Sequence, residues 1–280
     1  MLRRPTLADH KYRAGVVSLV TGSGQYPGAA VLGAGGALHS GAGMVRYWGP
    51  VAARRDVLSA HPEVVAAEGD CHATVVGSGW GEQQLELALK AWDLRVPTVI
   101  DAGALPHFID WTTSAGARVL TPHTGEAAKL GAALGVRQAR TVRQCEAQPQ
   151  AAALALAAAT RSVVVLKGGV TWVAAPDGWS QSFTPPSAWG GVAGSGDVLS
   201  GVIGALLAQR TAGGLSASLP MTVAVGVWLH GMAASWAAGV TGPGLPGHPI
   251  RAGEIAPMIP TVWGAVAQDA SVITINTAGA

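Results

Sequence analysis

Ser162-Val163-Val164-Val165-Leu166-Lys167-Gly168-Gly169 holds four consecutive apolar residues that end on a Lys and two glycines. A strand with one solvated face alternates apolar and polar positions. A run with no polar position instead suits a strand covered on both faces, the usual state of a parallel sheet. Working outward from 162–168, further β-rich runs fall at 15–21, 43–48, 72–77, 97–101, 118–121 and 171–175. Helical stretches lie between them, at 29–40, 51–60, 82–92, 126–134, 142–160 (interrupted at Pro149) and 195–209. This alternation predicts an α/β fold with a mostly parallel central sheet and helices on both faces. After Ser195 the strands stop and helices dominate to about Val240. A Gly/Pro loop at 241–249 and a last helix near 252–258 follow. The expected organisation is one domain over 1–262 with a loose tail over 263–280.

Composition narrows the class. Only 12% of the 280 residues are charged, 18 basic against 16 acidic, and Gly alone numbers 39. So little charge, so evenly balanced, argues against disorder and against an electrostatically driven nucleic-acid or membrane-surface binder. Helices rich in Ala and Gly are expected to pack closely through small side chains. Two cysteines, Cys71 and Cys145, make neither a disulfide framework nor a metal site and read as reduced thiols. The N-terminus lacks the apolar run of a signal peptide. The stretch 222–240 is nearly all apolar, but His230, Ser235 and three glycines in it favour a buried helix over a membrane span. The expectation is a cytoplasmic protein. The Trp-bearing part of that stretch, 227–236, is either a core helix or part of a homo-oligomer interface.

In an open α/β sheet, ligands bind beyond the carboxyl ends of the strands. Five loops there stand out. Thr21-Gly22-Ser23-Gly24-Gln25-Tyr26-Pro27-Gly28-Ala29-Ala30 leads into a helix, either as an anion-binding turn or as an ordinary connection. It does not fit G-x-G-x-x-G, since the third position falls on Pro27, and no G-x-x-x-x-G-K-[ST] loop is present. Gly77-Ser78-Gly79-Trp80-Gly81 is either a floor for a bulky ligand or a tight turn. Asp101 ends a strand. In Thr121-Pro122-His123-Thr124-Gly125-Glu126, Glu126 suits a helix start, and His123 is either a ligand contact or a structural residue.

The fifth loop, Ala193-Gly194-Ser195-Gly196-Asp197-Val198-Leu199, is the sharpest. Glycines around Ser195 let amides converge on a phosphate at a helix N-terminus. An Asp in that turn repels the same phosphate. The conflict dissolves if the Asp197 carboxylate takes a proton from a hydroxyl attacking the phosphoryl group. The alternative is a plain helix cap by Ser195 or Asp197. Upstream, Lys167-Gly168-Gly169-Val170-Thr171 suits a nucleotide's phosphate or sugar.

Taken in order, these motifs resemble the ADP-dependent NAD(P)H-hydrate dehydratases of the ribokinase-like superfamily. The resemblance is carried by His10-Lys11, Gly22-Ser23, Tyr26-Pro27-Gly28-Ala29-Ala30, Ser40-Gly41-Ala42-Gly43-Met44-Val45 and Gly77-Ser78-Gly79-Trp80-Gly81. It continues through Ile100-Asp101-Ala102-Gly103-Ala104-Leu105, Leu120-Thr121-Pro122-His123-Thr124-Gly125-Glu126, Leu166-Lys167-Gly168-Gly169-Val170-Thr171 and the Gly194-Ser195-Gly196-Asp197 turn. It implies repair of NADH and NADPH hydrated at C6 of the nicotinamide ring. ADP would phosphorylate that hydroxyl, and loss of phosphate would restore the double bond, releasing AMP and phosphate. Asp197 would be the base, and Gly194, Ser195 and Gly196 would hold the transferring phosphoryl group. Ala30, Gly79, His123 and Asp197 would contact NADH hydrate or NADPH hydrate. Lys167, Gly168, Gly169, Val170, Thr171 and Gly196 would contact ADP. Mg2+ would screen the phosphates, with no protein metal ligands assigned. The chain has no room for the epimerase domain fused to many relatives, so repair of both epimers implies a separate epimerase.

One stretch departs from the pattern. Thr184-Pro185-Pro186-Ser187-Ala188-Trp189-Gly190-Gly191 replaces the family's Thr-Gly-Asn type stretch, which bears on substrate fit rather than on the phosphoryl site. Two other readings compete. A vitamin or sugar kinase of the same superfamily typically carries Asn-x-x-Glu where this chain has His123-Thr124-Gly125-Glu126. A silent nucleotide-binding module has no use for a carboxylate facing phosphate.

Overall fold

The computed structural model describes residues 2–7, 9–80, 85–107 and 116–268. The expected helix at 82–92 and the tail at 263–280 therefore fall partly outside the described residues, as does Gly81.

Six strands run parallel: β1 (Val16–Val20), β2 (Met44–Tyr47), β3 (Ala73–Val76), β4 (Thr98–Ile100), β5 (Arg118–Leu120) and β6 (Val163–Leu166). β7 (Thr171–Ala174) and β8 (Ser180–Phe183) add antiparallel at one edge, giving the order β2-β1-β3-β4-β5-β6-β7-β8. The run at 163–166 behaves as its sequence predicts. Val163 and Val165 join one hydrophobic core, while Val164 and Leu166 join the other. Adjacent side chains on a strand point to opposite faces, so both faces must be covered.

One layer is formed by α1 (Pro27–His39), α2 (Val51–Ala60), α7 (Ser195–Thr211) and α8 (Leu219–Ala237). The other holds α3 (Leu85–Asp93), α4 (Thr124–Ala133), α5 (Val142–Ala147) and α6 (Pro149–Thr160). Pro149 does interrupt the expected 142–160 helix. It opens α6 at a position where its missing N–H is no loss. α9 (Ile255–Gln268) packs outside α7 and α8 and runs past both the expected helix end at 258 and the expected domain end at 262.

The small-residue packing expected from composition is most pronounced between α1 and α7. A Cβ added at Gly36 would collide with the Val198 carbonyl oxygen, and one at Gly201 with the Gly33 carbonyl oxygen. The two backbones touch directly. The stretch 222–240 is the buried helix α8, and among the described residues no helix is long and apolar enough to cross a membrane. Cys71 and Cys145 are free thiols.

Candidate active site

The carboxyl ends of β4, β5 and β6 carry Asp101, His123 and Lys167 to one rim of the sheet. Lys167 Nζ donates to Asp101 Oδ1 at 2.9 Å, closing an ion pair whose side chains are 20% and 2% exposed. Ser78 Oγ and Thr121 Oγ1 donate to the same carboxylate, each at 2.8 Å. Burial alone would raise the Asp101 pKa, but Lys167 and these donors outweigh it and hold the carboxyl below its ordinary range. Burial likewise opposes charge on Lys167. Asp101, with help from Glu126 and Asp197, keeps the ammonium protonated above its usual value.

α7 starts opposite this pair. Its N-cap is Gly194, at a φ of 90° that a side chain would strain, and no side chain caps the helix. Neither Ser195 nor Asp197 is the cap, so the helix-cap alternative for those two residues does not hold. The uncapped N-terminus keeps the positive end of its dipole for a ligand. A Cβ at Gly196 would stand 3.3 Å from Lys167 Nζ, so glycine there lets the turn and the lysine approach each other.

Asp197 lies in the first turn of α7. Burial, then the negative charge of Asp101, push its carboxyl up to about 6, with Lys167 offsetting part of the effect. Its carbonyl oxygen lies against α1, where a Cβ on Gly33 would come within 3.5 Å. Asp197 therefore stands between the Lys167 side of the rim and the α1 side.

On the Lys167 side a cavity of about 560 Å³ opens, a size typical of small-molecule sites. Lys167, Gly168, Gly169, Thr171, Ser195 and Gly196 border it, as does His123, so these expected residues are brought together. Val170 is partly exposed and does not border it. His123 carries a structural task as well. Its Nδ1 accepts from Gly125 N at 3.0 Å and Glu126 N at 3.4 Å, and Glu126 Oε2 accepts from His123 N at 2.9 Å. That reciprocal pair is the capping box of α4.

Ala30 and Gly79 do not border this cavity. Ala30 is fully buried, and Gly79, at a φ of 66°, packs its backbone against Ala29, Tyr26 and Gly22. They lie where the sheet order reverses, between β1 and β3, and Gly22 N donates to Ser78 O at 2.7 Å across that point.

The departure at 184–191 proves to be a cavity wall. Thr184, Ser187, Ala188 and Gly190 border the same space as Lys167, so the stretch faces the nucleotide-type residues. Phe183 and His230 are among the lining residues that the sequence does not assign to the site. Phe183 ends β8, a strand too polar and too short to be recognised, and His230 sits in the uncharged helix α8. A lone His in an apolar helix is the signal that was available for the second. Among the described residues no three His, Cys, Asp or Glu converge to hold a metal.

Sheet order, antiparallel edge hairpin and the Gly-Ser-Gly-Asp turn at an open helix start together define an α/β protein of the ribokinase-like class. The family model described as NAD(P)H-hydrate dehydratase matches residues 17–253, and the chain belongs to that family. It is 40% identical over 226 residues to a bifunctional NAD(P)H-hydrate repair enzyme of Mycobacterium tuberculosis, covering 76% of this chain and 45% of that one. The chain thus spans about half the length of such bifunctional relatives. It is 37% identical to an ADP-dependent (S)-NAD(P)H-hydrate dehydratase of Neisseria meningitidis, covering 89% of this chain and 85% of the other. Among solved structures it is similar to an ADP/ATP-dependent NAD(P)H-hydrate dehydratase of Bacillus subtilis co-crystallized with ATP and Mg2+. That match has a TM-score of 0.78 and 26% identity, covering 94% of each chain.

Proposed function

We propose that this protein dehydrates the S epimer of hydrated NADH and NADPH at the expense of ADP, giving AMP and phosphate. The observation that carries the reading is the placement of Asp197. It is a carboxylate of raised pKa in the first turn of an uncapped helix, within the electrostatic reach of Lys167 and directly after Ser195 and Gly196, which border the cavity.

ADP fits that cavity. Phe183, Leu199 and Val227 offer an apolar wall, Gly168 and Gly169 a side-chain-free edge, and Lys167 with the α7 start a positive end. A Cβ on Gly169 would meet nothing within 4 Å, so the space beside it is open. Val170 would take part through its main chain only. The hydrate is assigned to the α1 side of Asp197, with Ala30 and Gly79 as close-packed floor, while His123 borders the cavity on the Lys167 side. Asp197 accepts the proton of the substrate hydroxyl as that oxygen attacks the phosphoryl group held by Gly194, Ser195 and Gly196. Lys167 steadies the phosphate charge while staying paired to Asp101. Phosphate then leaves far more readily than hydroxide would, taking the C–O bonding pair, and loss of a proton from the adjacent ring carbon to solvent restores the double bond. Mg2+ supplies charge neutralisation at the phosphates. With no converging set of protein ligands among the described residues, it would be held mainly by phosphate oxygens and water, the common arrangement for this ion. An epimerase is the partner activity that repair of both epimers requires.

Recovery of reduced-nicotinamide absorbance from hydrated NADH, with ADP and Mg2+ compared with ATP and Mg2+, tests the proposal. Turnover with ADP is expected. No turnover with either nucleotide, or phosphorylation of a thiazole or pyridoxal alcohol in its place, would overturn it.

A further inference from the structure

His230 has no part in the chemistry above, yet it borders the cavity and lies beside the phosphate turn. Its Nε2 stands 3.2 Å from Ser195 Oγ. The next residue, Gly231, leaves room for the Phe183 ring to lie on α8, so one helix turn supports both the apolar wall and the α7 start.

A serine hydroxyl has one proton and two acceptor lone pairs. If Ser195 gives its proton to His230, no proton remains to donate to a phosphate oxygen. If the imidazole donates to Oγ, the hydroxyl proton is free to turn toward the cavity. Burial pushes the His230 pKa down to about 4, so the ring is neutral at pH 7 and carries one proton.

We propose that His230 is a positioning residue whose Nε2–H holds Ser195 Oγ so that the serine proton points at a phosphate oxygen of the bound nucleotide. The inference rests on the functional reading above, which places a nucleoside diphosphate in this cavity. His230 touches Ser195 and acts through it; it makes no bond in the reaction.

The test is calorimetric binding of ADP and of adenosine, with Mg2+, to the wild type and to the His230→Ala, His230→Gln, Ser195→Ala and His230→Ala/Ser195→Ala variants. Losing one hydrogen bond to a charged oxygen weakens ADP by about tenfold in either single alanine variant. Adenosine, which has no phosphate, binds equally to all. The double variant is expected to be no weaker than either single one, because both remove the same bond. His230→Gln, whose amide reaches about as far as Nε2, restores most of the ADP affinity and guards against a folding defect in the alanine variant. ADP affinity unchanged in His230→Ala, equal losses for ADP and adenosine, or additive losses in the double variant would each overturn the proposal. Failure of the wild type to bind ADP at all would instead overturn the functional reading, and this inference with it.

Discussion

Asp197 is costly to the fold and, on the proposed function, useful to the reaction. Its carboxyl titrates near 6 in the folded chain against an ordinary value of 3.8, so the folded state holds an extra proton between those values. Stability from this group is therefore present below about pH 4 and is lost as pH rises through 6. Asp197→Asn is expected to abolish turnover while raising Tm at pH 7.5, with the gain shrinking toward pH 4; melts across that range measure it. For a base, the same titration predicts that kcat/KM falls below about pH 6, read from a pH–rate profile. The Asp101–Lys167 pair has the opposite character. Asp101→Asn leaves a largely buried ammonium without its partner and is expected to cost about 3 kcal/mol in urea unfolding. Both residues stood out in the sequence as charges at strand ends. Their pairing did not, because they are 66 positions apart and only the strand order brings them together.

Elements were legible in proportion to how fully they are buried. The parallel strands announce themselves because two covered faces demand apolar residues at every position, as at Val163–Leu166. β8, Ser180-Gln181-Ser182-Phe183, occupies the sheet edge, is only partly buried, and carries no such demand. It was missed, and Phe183 with it. Helix starts were misplaced for a related reason. α4 begins two residues before Glu126 because His123 serves as its cap, a role that a histidine seldom advertises. At the α1–α7 contact the packing leaves no room for a methyl group. Gly201→Ala should force the helices apart and cost about 3 kcal/mol, with a lower urea midpoint as the readout.

For the molecule as a whole, the fold class followed from periodicity, whereas the cavity at the Lys167 rim did not. It is walled by the β7–β8 hairpin, the start of α7 and the middle of α8, a relation between elements that no local pattern encodes. The stretch at 184–191 joins that wall because the β7–β8 hairpin folds it onto the cavity beside Lys167. Because the cavity is largely preformed, ADP should stabilise the whole chain by mass action. At a hundred times its Kd the gain is about 2.7 kcal/mol, visible as a concentration-dependent rise in Tm.

The backbone-to-backbone seam between α1 and α7 has a consequence for how the protein can change. Where two side chains meet, enlarging one is offset by trimming the other, and a lineage can drift through such pairs. At Gly36 and Gly201 there is nothing left to trim, since each obstacle is a carbonyl or main-chain atom. Mutational exploration is closed off there, and with it any gradual widening of the gap that separates Asp197 from the α1 loop. New substrate preference would have to arise from the hairpin and the 184–191 wall, where side chains still have room to exchange.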